Sequence, residues 1–224
     1  APLIAIVPIS FSVSPFMVFT DGMLAWPPEP EAWSLRWYKN MIGDCSADVV
    51  SSTVPCSNKW MTGTVNSFFI GITATVIATS LGTLAALGLS RPHMPFKGLI
   101  MAILISPMIV PLIITAAGMF FFYARINLVY TFTGVILAHV ALATPFVVIT
   151  VTATLVGFDM NMVKAAQSLG ARPVKTFFKI IMPLILPGII SGALFAFITS
   201  FDEVVIVMFM ASLDQLTIPK QMWA

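Results

Sequence analysis

Long stretches of this chain carry no Asp, Glu, Lys or Arg. Residues 1–20, 60–90, 98–124, 126–158 and 180–201 have none. A helix needs about 20 apolar residues to cross a hydrocarbon core of about 30 Å, and each run is that long. In lipid the backbone must satisfy its own hydrogen bonds, which leaves helices and closed barrels. The dyad alternation of a barrel is missing, so the expected fold class is an all-α polytopic transmembrane helix bundle. Composition agrees. Only 9% of the 224 residues are charged, against about 25% in an ordinary soluble domain. That excludes a soluble globular enzyme, a nucleic-acid binder and a disordered linker. A net charge of +2 is too small to suggest a polyanion partner. Two cysteines are too few for a disulfide scaffold or a four-thiolate metal site.

The charge-free runs predict five spans, at about 1–20, 64–89, 98–123, 132–156 and 184–211, within one membrane domain over 1–224. Loops 91–97 and 157–182 then share a side. They carry Arg91, Lys97, Lys164, Arg172, Lys175 and Lys179 against Asp159. The other side carries Arg36, Lys39, Lys59, Arg125 and Lys220 against six acids. The positive-inside rule places the first set in the cytoplasm, with the lipid bilayer as the surrounding medium. The chain opens on an apolar run with no basic residue before it. Pro2, Pro8 and Pro15 suit a signal peptide poorly, so the run reads as the remainder of a first span.

Segment 21–63 is the sizeable stretch on the outer, periplasmic side. Its Trp26, Trp33, Trp37 and Trp60 read as interfacial anchors or as ligand-stacking rings. Cys45 and Cys56 either form a disulfide across this short loop or stay as two thiols, since spacing alone fixes no geometry.

Loop 157–182 reads as two short helices. Asp159 suits an N-cap, and Met162, Val163, Ala166 and Leu169 form a stripe at helical spacing. Gly170 suits a left-handed stop, and Pro173 a first helical position. Val174, Phe177, Phe178 and Ile181 form the next apolar face, and Pro183 with Pro187 marks the start of the following span. A unit apolar on one side and basic on the other suits docking against a protein at the membrane surface, or lying on anionic lipid.

The stretch Lys164-Ala165-Ala166-Gln167-Ser168-Leu169-Gly170, then nine residues, then Ile180-Ile181-Met182-Pro183, resembles the Glu-Ala-Ala…Gly…Ile-x-Leu-Pro loop of permease subunits in bacterial ATP-binding cassette importers. Ser34-Leu35-Arg36-Trp37-Tyr38, Asn66-Ser67, Pro107 with Pro111, Ala138-His139, Pro145, Pro187-Gly188 and Ser200-Phe201-Asp202-Glu203 resemble the second permease of polyamine-type importers. This resemblance implies a bacterial inner-membrane subunit with several partners. A cytoplasmic ATPase, in two copies per complex, would receive the loop through Lys164, Ala165, Ala166, Gly170, Phe177, Ile180 and Pro183. A second permease would complete the path, and a periplasmic solute-binding protein would deliver the solute. It also implies a polyamine or a related cationic or opine-like substrate. Two positions depart from the pattern: Lys164 stands where Glu is usual, and Met182 where Leu is usual. A sixth span usually follows the position of Thr217-Ile218-Pro219, so the five predicted spans read as an incomplete set.

Asp202 and Glu203 lie inside an otherwise apolar run, where a carboxylate is costly unless it faces water, a cation or a partner. They suit the path of a cationic substrate, or a structural pairing with a helix N-terminus or a partner's basic residue. A third reading ends the span near 202 and makes 204–211 a re-entrant piece. His139 reads as a hydrogen bond between helices. No metal-ligand cluster, nucleophile constellation or Gly-rich phosphate loop stands out. No nucleic-acid partner, cofactor or catalysis by this chain is expected, and ATP would be handled by a separate subunit. Two alternatives are a secondary transporter or channel independent of an ATPase, and a truncated non-transporting product.

Overall fold

The computed structural model describes residues 7–12, 19–27, 30–42, 58–91, 93–157 and 161–223. Helix dominates, and among the described residues no strand forms beyond one isolated bridge, Ser12 to Trp33. Contacts divide the chain into two compact units, Ala1–Val65 and Asn66–Ala224.

In the first unit, Ser34 N–H donates to Phe11 O at 2.7 Å. The Ser10 and Tyr38 hydroxyls pair at 2.7 Å, and the Phe11 and Tyr38 rings meet at 5.2 Å. Most of the first predicted span, 1–6 and 13–18, lies outside the described residues. Among the described residues of 1–20, helix covers only 7–9 before the chain turns. Pro8 lies within those residues and withholds a backbone donor. Trp26 stands almost fully exposed. Cys45 and Cys56 lie outside the described residues.

The longest helix, α1 (Lys59–Leu89), covers the region predicted at 64–89. It is followed by α2 (Lys97–Ile109) and α3 (Leu112–Arg125), where the sequence predicts one span over 98–123. The region is not one straight helix: the two helices meet at a bend of 105°. Pro111 offers no N–H, and its ring drives the residue before it out of the helical region. Val110 accordingly sits at φ −71, ψ 136. At 1.5 Å per residue each arm is about 20 Å long.

Helix α4 (Phe132–Val156) is the centre of the second unit and supplies much of its core, from Val135 to Val151. The Thr131 hydroxyl caps it by accepting the Gly134 N–H at 3.0 Å. Two short helices follow, α5 (Asn161–Ser168) and α6 (Pro173–Thr176). A π-helical turn, Phe177–Ile181, joins α6 to α7 (Met182–Phe201). Helix therefore runs unbroken from Pro173 to Phe201, and the predicted start near Pro183 is corrected. Pro183 cannot bond back to Lys179, and a wider π turn accommodates its ring.

The predicted span 184–211 ends earlier, in keeping with the reading that stops it near 202. Helix α7 stops at Phe201, and α8 (Val205–Met210) starts anew. A last short helix, α9 (Ile218–Met222), ends the described chain. Among the described residues three helices are long and apolar enough to cross a membrane, Lys59–Leu89, Phe132–Val156 and Pro173–Phe201; the bent pair makes a fourth if counted as one span.

Small residues hold α7 against α4. Gly188, Gly192, Ala196 and Ser200 recur every fourth residue and are all buried. A Cβ on Gly188 would collide with the Thr154 hydroxyl. One on Gly192 would sit 2.5 Å from Thr150 Oγ1 and 3.0 Å from Val147 Cα. Close backbone approach of this kind supplies the packing that lipid-embedded helices depend on. Helix α1 uses a parallel device: Ile70, Ala74, Ala78, Gly82 and Ala86 are buried at the same spacing, and a Cβ on Gly82 would lie 2.7 Å from Val147 Cβ.

Candidate functional site

Two regions gather the residues that the sequence singles out. The first is the turn between α5 and α6. Gly170 adopts φ +80, as a left-handed helix stop requires. Its N–H donates to Gln167 O at 2.9 Å, and the Ala171 N–H reaches back to Ala166 O at 3.0 Å. Those two bonds close the end of α5. Arg172 then leads into Pro173 at the first turn of α6. The expected cap residue, Asp159, lies outside the described residues.

Ala166 and Thr176 are buried beneath this turn, whereas Lys164, Ala165 and Pro183 are exposed, and Phe177 and Ile180 are half-buried. Half of each apolar face predicted from helical spacing turns inward: Ala166 is buried, and Val163, Phe177 and Ile181 are half-buried. Met162, Leu169, Val174 and Phe178 are exposed, Leu169 to 88%. Lys164, Arg172, Lys175 and Lys179 stand among them, all exposed. The turn thus presents apolar and cationic side chains together.

The second region is the break after α7. Helix α7 stops with Asp202 N–H bonded to Ile198 O at 3.0 Å. Asp202 is exposed, and Glu203 is buried. Glu203 Oε1 accepts the Ile206 N–H at 2.8 Å, satisfying a donor that the start of α8 would otherwise leave bare. Of the readings left open for this carboxylate, the observed bond is the pairing with a helix N-terminus. Helix α8 is then held at its other end by Lys220, whose ammonium donates to Val207 O and Ala211 O, both at 3.3 Å. His139 Nδ1 lies 2.7 Å from Ser200 Oγ, a hydrogen bond between α4 and α7.

Asn66 and Ser67 carry part of the family resemblance, but their task is visible only in the structure. Asn66 Nδ2 donates to Asp214 O at 2.8 Å and to Leu216 O at 3.0 Å. Ser67 Oγ accepts the Ile218 N–H at 2.9 Å. Gln215 links this strap to the turn before α4 through Tyr130 O at 3.1 Å. Adjacent polar residues early in an apolar helix were the available signal. Among the described residues no group of His, Cys, Asp and Glu is placed to hold a metal ion.

Residues 78–223 match the family described as binding-protein-dependent transport system inner membrane component. The chain belongs to that family. As a member of it, the chain is a permease subunit of an ATP-driven importer, a class that works with an ATPase, a second permease and a binding protein. This permease is 30% identical over 227 residues to the putrescine transport system permease protein PotI of Escherichia coli K12. That match covers 98% of this chain and 72% of the relative. It is 28% identical over 201 residues to the spermidine/putrescine permease PotC of Haemophilus influenzae, covering 90% of this chain and 72% of PotC. Its backbone is similar to a solved bacterial ABC transporter involved in the import of the acidic polysaccharide alginate. There the TM-score is 0.72 at 15% identity, over 99% of this chain and 71% of that one.

Proposed function

We propose that this permease forms half of the path by which a bacterial inner-membrane importer takes up a polyamine or a related cationic solute. The observation that carries the reading is the likeness to spermidine and putrescine permeases along 90% or more of the chain. An exposed carboxylate, Asp202, at the break after α7 supports it. A charge exposed within an apolar surface is costly unless it meets water or a cation.

In this reading 91–97 and 157–182 face the cytoplasm, as their Lys and Arg residues favour. The α5–α6 turn docks on one of two ATPase copies. Exposed Ala165, Leu169 and Val174 supply apolar contact, and Lys164 supplies a charge for an acid on the ATPase. Gly170 sets the angle between the two short helices. The unbroken helix Pro173–Phe201 carries ATPase closure from the turn to the break at Asp202. A second permease completes the path, and a periplasmic binding protein delivers the solute.

The test is uptake by the complete complex in proteoliposomes, with putrescine and spermidine as probes. Lys164→Glu together with Gly170→Val is expected to lower both ATPase recovery on purification and coupled uptake. Full ATPase recovery and unchanged uptake would sink the docking role.

A further inference from the structure

The uncharged run of α1 ends on a pocket that the transport reading does not use. It lies where the chain turns from α1 into α2. Its volume is about 520 Å³, and it is lined by Gly88, Arg91, His93, Met94 and Pro95. Small-molecule pockets span about 300–1,000 Å³. Gly88 leaves the space clear, since a Cβ there would have nothing within 4 Å. The Arg91 N–H donates back to Gly88 O at 3.2 Å, and the Met94 N–H to Arg91 O at 3.4 Å, which folds the chain around the space.

The pocket is cationic and not neutralised. Arg91 and His93 are exposed, and neither side chain has a partner among the described residues. Lys97 is exposed two residues beyond Pro95. The sequence holds no Asp or Glu between Asp48 and Asp159, so α1 and α2 bring no acid to this turn.

Apolar side chains lead to the same place. On α1 the residues Leu81, Leu84, Gly88 and Arg91 follow one another at spacings of three and four, which puts them on one face. Leu81 and Leu84 are exposed. Leu84 to Arg91 is about 10 Å along the helix at 1.5 Å per residue. On α2, Leu99 and Ile103 are exposed one turn apart. Between the helices Phe96 takes φ 52, a conformation that residues other than glycine seldom adopt. Its ring is 77% exposed. An outward aromatic ring beside basic residues at the end of an apolar span fits the membrane–water boundary.

We infer that this pocket binds an anionic phospholipid of the cytoplasmic leaflet, with Arg91 and His93 holding the phosphate and the Leu81–Leu84 face carrying an acyl chain. The leaflet follows from the placement of 91–97 given above; the site itself does not depend on which solute is carried. The planar Arg91 guanidinium matches two phosphate oxygens at once, and a His93 ring N–H donates to another oxygen of the headgroup. Lys97 adds attraction for net negative charge. A soluble phosphate would use the cations and leave the leucines bare. A zwitterionic lipid would use the leucines and bring an ammonium towards Arg91. An anionic phospholipid satisfies both features.

The experiment is native mass spectrometry of the purified complete transporter, titrated in detergent with phosphatidylglycerol or phosphatidylcholine of the same chains. The wild type is expected to hold phosphatidylglycerol more tightly. Arg91→Gln is expected to weaken that lipid about fivefold, the scale of one basic residue at an anionic surface, and to leave phosphatidylcholine unmoved. Arg125→Gln removes the same charge outside the pocket and should change neither affinity. Gly88→Leu keeps every charge and fills the space, and should weaken phosphatidylglycerol as well; if it fails to fold, Arg91→Gln and His93→Gln decide alone. Equal affinity of the wild type for the two lipids, or an unchanged phosphatidylglycerol affinity in Arg91→Gln and His93→Gln, overturns the site. If glycerol phosphate, a headgroup without chains, displaces phosphatidylglycerol at equal concentration, the pocket serves a soluble phosphoester and the lipid assignment falls. If Arg91→Gln lowers ATPase recovery with lipid affinity unmoved, the turn is an ATPase contact, which also overturns it.

Discussion

Gly192 shows how little room the α4–α7 contact leaves. A methyl group there would meet Thr150 Oγ1 at 2.5 Å and the Val147 backbone at 3.0 Å. Backbone cannot yield as a flexible side chain can, so Gly192→Ala is expected to cost about 1–3 kcal/mol. It should lower the Tm of the detergent-solubilised protein. Gly88 has nothing within 4 Å of a built Cβ, and Gly88→Ala should leave Tm unchanged or slightly raised. At the far end of the same contact, Ser200→Ala would strip His139 Nδ1 of its partner. Hydrogen bonds between helices in lipid average about 0.6 kcal/mol, with a ceiling near 1.7. The expected loss of Tm is therefore smaller than for Gly192→Ala. The Gly188, Gly192, Ala196, Ser200 row is visible in the sequence as a four-residue repeat of small side chains. What it packs against is not visible there, because Thr150 and Thr154 look like any other span residues until the two helices are placed side by side.

Whole elements were legible wherever charge alone decides them. The gap in charge over 60–90 corresponds to α1, and that over 126–158 contains α4. Breaks within apolar runs were harder to read, because composition does not change across them. Pro107 and Pro111 look alike in sequence, yet Pro107 sits inside α2 and Pro111 ends it. The difference is whether neighbouring structure absorbs the lost hydrogen bond, which no local pattern reports. At the second break Glu203 decides the matter by capping α8. Glu203→Gln keeps an acceptor oxygen and should preserve the cap. Glu203→Ala removes it and is expected to cost about 1 kcal/mol, a usual figure for a lost cap. Hydrogen exchange at 205–210, faster in the Ala variant alone, is the measurement. Gly170 belongs to this scale as well. Its φ of +80 makes Gly170→Ala costly by about 1 kcal/mol, with the loss confined to the end of α5. Amides 167–171 should exchange faster while those of α4 stay protected.

At the scale of the molecule, fold and cargo separate. The backbone is similar to that of an alginate importer, whose cargo is acidic, at 15% identity. Polyamine permeases resemble this chain more closely in sequence. A shared scaffold does not fix the cargo, because function lies in the site grafted on a fold and not in the fold itself. The membrane class was legible in the sequence, and so was the pair of short helices joined at a left-handed Gly170, through spacing. The meeting of the Phe68 ring with those of Phe197 and Phe201 was not. These residues come from α1 and α7, some 130 residues apart in number, and Phe197 packs where Gly71 carries no side chain.

The Asn66 bonds to Asp214 and Leu216 set an order of events during synthesis. Asn66 enters the bilayer with the first long helix, while its two acceptors are about 150 residues from being made. Until they emerge, its amide is a polar group held in lipid without a permanent partner, at the expense such a group incurs there. The bare amide is expected to mark an unfinished chain until 214–218 closes over it. Nascent chains halted at residue 210 should be degraded faster than finished ones in a pulse–chase experiment. Asn66→Leu should slow that degradation in the halted chain and not in the finished one. Equal lifetimes for halted chains with Asn66 and with Leu at this position would show that the cell does not read the bare amide.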